Sequence, residues 1–471
     1  MIRKCRPIWL LWFASGLVPA LCADADQKER LSREFQAAVA QYDSGHFSSA
    51  ATQLEKLVRQ LPESFEVHEL LGMVYSAQSE DAKAVAHLEK AVNLNPSSAA
   101  ARTNLATNLV RLKRFGPAEV QFKKAIELEP QSYDANHNLG EFYVSSGRVP
   151  EAVPYLEQAQ RINPASYDNG YDLSLACIET GRLADAKRLI ADLLARKDTA
   201  ELHDLLADVE ERGGNFVASE HEYETAARME PSESNLFDWG SELLLHRTLD
   251  PAVEVFERAS QQYPNSARLA IGLGMALYSR GNYDDAVKAL LKATNINPSD
   301  PRGYYFLSKA YNSSPGQADE VTEHFRRFAE LQPQDGRALY YYAMSLWKGR
   351  RAQDASFNVY QIESLLKKSI EREPSLAEAH LQLGNLYSDQ TNYTDAIPEY
   401  LRALEFNSGL VDAHYRLGQA YVHTGHKDLA QHELEIYQRL RAEHLAELDK
   451  QRAEIRQFVY SEKKDDSGSK Q

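Results

Sequence analysis

Cysteine is nearly missing: the 471 residues hold three, Cys5, Cys22 and Cys177. Two of them fall in the first 25 positions, so disulfides cannot staple the rest of the chain. An excess of basic residues is missing as well. Against 68 Asp and Glu stand 53 Lys and Arg, a net charge of −15, without the basic footprint that nucleic-acid phosphates require. Catalytic signatures are also absent: there is no phosphate loop, no nucleophile elbow and no HExxH. Gly272-Leu273-Gly274 is only a fragment of a dinucleotide loop, and no strand pattern precedes it. These absences predict a chain that is not an enzyme and holds no cofactor and no metal.

Long apolar runs are scarce, with one exception at the N-terminus. Arg3, Lys4 and Arg6 precede the nearly continuous apolar stretch Ile8–Leu21, and Ala23-Asp24-Ala25 follows. That order reads as a signal peptide over 1–25, because the apolar run is too short for an ordinary membrane span. The expectation is an exported protein, periplasmic or secreted, with no integral span after cleavage; an uncleaved membrane anchor is the alternative. Cys177 then remains alone on a predicted helix, where a small buried hydrophobe is the expected role.

What the chain has is a ruler of prolines. Pro62, Pro96, Pro130 and Pro164 lie 34 residues apart, and Pro231, Pro264, Pro298, Pro333 and Pro374 follow at spacings of 33, 34, 35 and 41. A period in this range marks a stacked array of helical repeats. Residues 267–298 show the grammar: Leu273-Gly274 at places seven and eight, Leu277, Gly281, Tyr283, Ala286, Leu290, Ala293 and Pro298. Spacings of three and four predict two amphipathic helices, and Gly281-Asn282 is the turn between them. Small residues allow close helix approach, and the leucines fill the gaps. Pro117, Pro150, Pro154, Pro251 and Pro398 are expected in the first turn of a second helix, where no N–H partner is lost.

The array resembles the tetratricopeptide repeat family. The same pattern returns as Leu71-Gly72, Tyr75, Ala84, Leu88, Ala91 and Pro96, as Leu139-Gly140, Tyr143, Gly147, Ala152, Leu156 and Pro164, and as Leu383-Gly384, Tyr387, Ala396, Tyr400 and Ala403. The resemblance implies an all-α, right-handed superhelical α-solenoid of stacked helix-turn-helix repeats. About twelve units are expected over 26–441, with a capping helix over 442–461 and a disordered polar tail over 462–471. Extra residues at Pro315 and around Gly349 to Gln361 suggest a break near 312–361.

The family also implies where a ligand sits: places two, five, nine and twelve of each unit face a concave groove. Carried onto this chain, they give Arg268, Ile271, Met275, Tyr278, Arg302, Tyr305, Lys309, Asn312, Arg337, Tyr340, Met344 and Trp347. This basic ladder with interleaved aromatics suits an extended peptide. Glu201, Asp204, Asp208 and Glu211 form an acidic segment of the same groove; their regular helical spacing suits a solvated face better than a calcium site. His68, His203, His380 and His414 share the fourth place, where a packing role is expected. His423, His426 and His432 lack the supporting carboxylates a zinc site needs.

The expected function is a non-catalytic scaffold in the cell envelope that binds a protein or extended peptide in its groove. Two alternatives stand beside it: a structural subunit of an envelope assembly or export complex acting through its convex face or caps, and a glycan-binding accessory protein.

Overall fold

A computed structural model describes residues 25–313, 317–349 and 358–443. Outside the described residues lie nearly all of the expected signal peptide, Pro315, most of the insertion after Gly349, the expected capping helix beyond 443 and the polar tail. The described elements are all α-helices, and they pair in sequence order. The chain divides into two compact units between Glu230 and Pro231. Residues 312–361 fall within the second.

The first unit holds six hairpins. They are α1 (Ala25–Asp43) with α2 (Phe47–Gln60), α3 (Phe65–Ala77) with α4 (Asp81–Leu94), and α5 (Ala99–Arg111) with α6 (Phe115–Leu128). Next come α7 (Tyr133–Ser145) with α8 (Val149–Ile162), α9 (Tyr167–Glu179) with α10 (Leu183–Leu194), and α11 (Ala200–Arg212) with α12 (Phe216–Met229). The second unit begins with α13 (Glu233–Leu245) and α14 (Leu249–Gln262), α15 (Ala267–Arg280) and α16 (Tyr283–Ile296), and α17 (Pro301–Ser313) and α18 (Ala318–Leu331). It continues with α19 (Gly336–Lys348) and α20 (Val359–Arg372), α21 (Ala377–Asp389) and α22 (Tyr393–Phe406), and α23 (Val411–His423) with α24 over 427–443.

The hairpin geometry follows from its small residues. Gly281 takes φ +96° at the end of α15, a conformation that costs a residue with a Cβ. A Cβ on Gly274 would lie 2.5 Å from Leu290 Cγ, so the leucine of the second helix sits directly on the backbone of the first. Burying such a leucine contributes roughly 2 kcal/mol, and the pair recurs unit after unit.

The ninth hairpin departs for a visible reason. Phe328 stands where most units carry alanine, and α17 and α18 approach less closely than the hairpins before them. Aromatic rings fill the wider gap: Tyr304 stacks on Phe328 with centroids 4.0 Å apart, and Tyr311 is buried.

Two features organise the joints. Ser64, Ser98, Ser132, Ser166 and Ser266, each two residues after a ruler proline, cap the next helix by accepting from an N–H three residues on. The fourth-place residue then ties the joint together. His380 reaches the Pro374 carbonyl at 3.0 Å and Glu399 at 2.6 Å. His414 reaches the Ser408 carbonyl at 3.1 Å and Glu433 at 2.6 Å. Arg102 donates to the Pro96 carbonyl at 2.9 Å and to Gln121 at 2.7 Å, and His68 bridges the Pro62 carbonyl and His87. His203 meets Asp198 and Glu222 at 2.8 and 2.5 Å. The fourth place is therefore a hydrogen-bonded clasp, more than the packing position expected.

Pro117, Pro150 and Pro251 occupy the first turns of α6, α8 and α14, as expected. Pro154 and Pro398 do not. Each is the sixth residue of its helix, one turn deeper, and forgoes a bond to the carbonyl four residues back. Cys177 is buried, and burial pushes its thiol pKa up.

Candidate functional site

The expected groove residues of the second unit lie on α15, α17 and α19. First helices pack side by side there, α13 against α15 and α15 against α17. The three arginines at the second place are each held by a carboxylate. Arg268 lies 3.4 Å from Glu233 and stacks over the Phe237 ring at 4.5 Å. Arg302 grips Asp300 through Nη2 at 2.6 Å, which lowers the Asp300 pKa. Arg337 lies 3.4 Å from Glu373. Most of Arg302 faces solvent, 71% of its side chain, so its remaining N–H donors are open to a ligand.

The aromatic members differ in how far they are accessible. Tyr305 is exposed, with Lys309 Nζ 4.5 Å from its ring centroid. Tyr278 is half-buried against Tyr283 at 5.4 Å. Tyr340 packs on Tyr341 at 5.7 Å, and burial raises its phenol pKa well above the ordinary range. Asn312 is exposed, and its backbone carbonyl accepts from Lys348. Met344 is half-buried. Trp347 lies in the core instead of the groove, packed with Ala343, Ile362, Leu366, Leu383 and Leu386. Its neighbour Leu346 is less buried; the larger apolar surface has taken the inner position.

One concave feature gathers several of these residues. A cavity of about 310 Å³ opens between α13, α15 and α17. Ile271 and Met275 line it from α15, Phe306 from α17, and Phe237 and Leu244 from α13, with Arg268 and Arg302 also on its wall. Phe256 forms part of its lining: its ring passes so near Gly272 that a Cβ there would lie 2.4 Å from Cε1. Gly272 thus admits the ring and adds no side chain to the cleft. The glycine triplet is a packing device, with Gly274 seating Leu290.

Arg337, Tyr340 and Met344 take no part in this cavity. The sequence reading missed Phe237, Ser241 and Leu244. They occupy places five, nine and twelve of the unit that starts at Glu233, so the same rule applied one unit earlier finds them.

The acidic segment lies on α11, in the first unit. Asp208 is paired with Arg212 at 2.9 Å. Burial, Glu201 and Asp204 together raise the Tyr171 phenol pKa. On the neighbouring α9, burial lifts the Asp172 pKa to about 6, helped by Glu141 and Asp168 and opposed by His137. No helix among the described residues is long and apolar enough to cross a membrane.

Family comparison agrees with this geometry. Tetratricopeptide repeat models match residues 35–99, 103–167, 146–209 and 243–310, and a TPR repeat model matches 384–425. The chain belongs to the tetratricopeptide repeat family. Among curated proteins it is similar to protein O-mannosyl-transferase TMTC3. The mouse protein is 25% identical over 190 residues, 38% of this chain and 20% of that protein. The human protein is 25% identical over 196 residues, 40% of this chain and 20% of that protein. The tetratricopeptide chain thus spans about a fifth of the length of these relatives. Among solved structures, Cut9–Hcn1 of the APC/C aligns at 15% identity over 88% of this chain and 94% of that one, TM-score 0.37. YrrB, described as a TPR protein with an unusual peptide-binding site, aligns at 19% identity over 39% and 96%, TM-score 0.33.

Proposed function

We propose that the chain is a non-catalytic scaffold that binds an extended segment of a partner protein in the cleft formed by α13, α15 and α17. The observation that carries this reading is the joining, in one concave cavity, of an apolar lining with two arginines. Apolar surface drives association, and charged donors at its edge fix register and orientation. The repeat array supports a binding role, because stacked helix pairs present an extended surface to a partner. Mannosyl transfer belongs to the whole of the curated relatives, of which only a fifth aligns; we propose none for this chain.

We also propose an exported protein of the cell envelope, on the strength of the basic start and the Ile8–Leu21 run. Fractionation with N-terminal sequencing of the mature protein tests it: an intact N-terminus in a cytosolic fraction contradicts export.

The binding reading is tested by capture from the host's envelope fraction with wild type and with Leu244→Asp/Met275→Glu. A partner held by wild type, lost from the variant, and binding the purified chain through one of its own tiled peptides supports the cleft. Equal capture by the two proteins overturns it.

A further inference from the structure

Resting on that reading, we infer that the cleft selects an acidic–apolar peptide: a bulky apolar side chain for the cavity, with a carboxylate a residue or two away for Arg268 and Arg302. The shape argues for the first half. A cavity of about 310 Å³ takes one large side chain rather than a helix face, and Ile271, Met275 and Phe306 pack together along it. Gly272 adds no side chain to its wall, and the Phe256 ring packs against that glycine from α14.

Charge argues for the second half. Arg268 and Arg302 lie at the N-terminal ends of α15 and α17, where the helix dipoles add positive potential. Their present partners leave capacity. Arg268 meets Glu233 at 3.4 Å, longer than a strong ion pair. Arg302 spends Nε and Nη2 on Asp300, leaving its exposed Nη1 for a ligand. Glu233 and Asp300 balance the charge of the pair, and the donors they leave over are hydrogen-bond sites that suit a carboxylate on the partner.

The test uses full-length protein and four fluorescein-labelled twelve-residue peptides in a Gly/Ser background. They carry Asp and Phe two residues apart, Asn and Phe, Asp and Ser, or Asn and Ser. Fluorescence polarisation should rank Asp/Phe first, with each single replacement weakening binding about tenfold or more, the scale of one charged hydrogen bond or one buried aromatic side chain. Arg268→Ala/Arg302→Ala should erase the Asp-over-Asn preference and keep Phe over Ser; Met275→Glu should do the reverse. A Phe preference abolished by Met275→Glu, without any Asp preference in wild type, overturns the acidic class and leaves the cleft reading standing. No peptide binding above the Asn/Ser control overturns both. A concentration-dependent dimer that Met275→Glu dissolves assigns the cleft to a second copy of the chain, and overturns the inference.

Discussion

His380 Nδ1 and Glu399 Oε2 stand 2.6 Å apart, nineteen residues apart in sequence, and His414 and Glu433 repeat the pair in the next unit at the same distance. The relationship joins the two helices of one repeat, while the other ring nitrogen holds the carbonyl of the preceding joint. One side chain therefore fixes both the hairpin and its seating on the unit before.

Removing this clasp should loosen one unit. His380→Ala leaves a half-buried carboxylate and the Pro374 carbonyl without their partner, a loss of about 1–3 kcal/mol. His380→Asn should restore part of it, since Asn136 already donates to the Pro130 carbonyl at 3.1 Å. Urea midpoints for the two variants, with hydrogen exchange in α21, measure the difference. Equal midpoints for wild type and His380→Ala would contradict the clasp.

Glu69 gives the first unit a pH dependence. It is buried at the fifth place of α3, and burial lifts its pKa from 4.5 to about 7, with Glu66 adding to the shift. A raised acid pKa means that the protonated form suits the fold. The associated stability is fully present below the unfolded pKa and is lost as pH rises through about 7. Glu69→Gln should therefore match wild type near pH 4 and exceed it at pH 8 by up to about 3 kcal/mol. Parallel stability curves across pH 4–8 for the two proteins would count against this.

Ser219 stands where alanine is usual, fully buried, and its hydroxyl has no hydrogen-bond partner. Ser219→Ala should raise the thermal midpoint, with a gain of about 1 kcal/mol. A lower midpoint would show that the hydroxyl is satisfied.

Gly272 and Phe256 should behave as a coupled pair. Gly272→Ala places a Cβ against the Phe256 ring and should cost about 1–3 kcal/mol. Phe256→Leu, the residue found at that place in Leu88, Leu156 and Leu290, should absorb most of the cost. Additive effects in the double mutant would contradict the contact.

The helix pairs were legible because the packing that makes them repeats. Gly274, Leu290 and the turn at Gly281 each do one physical job, and every copy of the pattern restates it. The fourth-place histidines were visible as a column, but their partners nineteen residues on were not, because no single helical period links them. The serine caps two residues after five of the prolines are a shorter column, broken where Glu233, Asp300, Asp335 and Leu376 take that position. Trp347 was misplaced for a different reason. A place rule assumes a fixed helix rotation, and a large apolar ring turns toward the core when the neighbouring unit offers one. The α13 wall of the cleft lies one unit before the first arginine of the ladder, outside the units to which the place rule was applied.

The most direct measurement places a photo-crosslinking amino acid at Met275, in the cleft, and in a second protein at Phe115, exposed on α6 of the first unit. Irradiation in an extract of the native host, followed by sequencing of the attached peptide, should give one partner segment from position 275 and none from position 115. Adducts from 115 alone, or the same adducts from both, would contradict binding in the cleft.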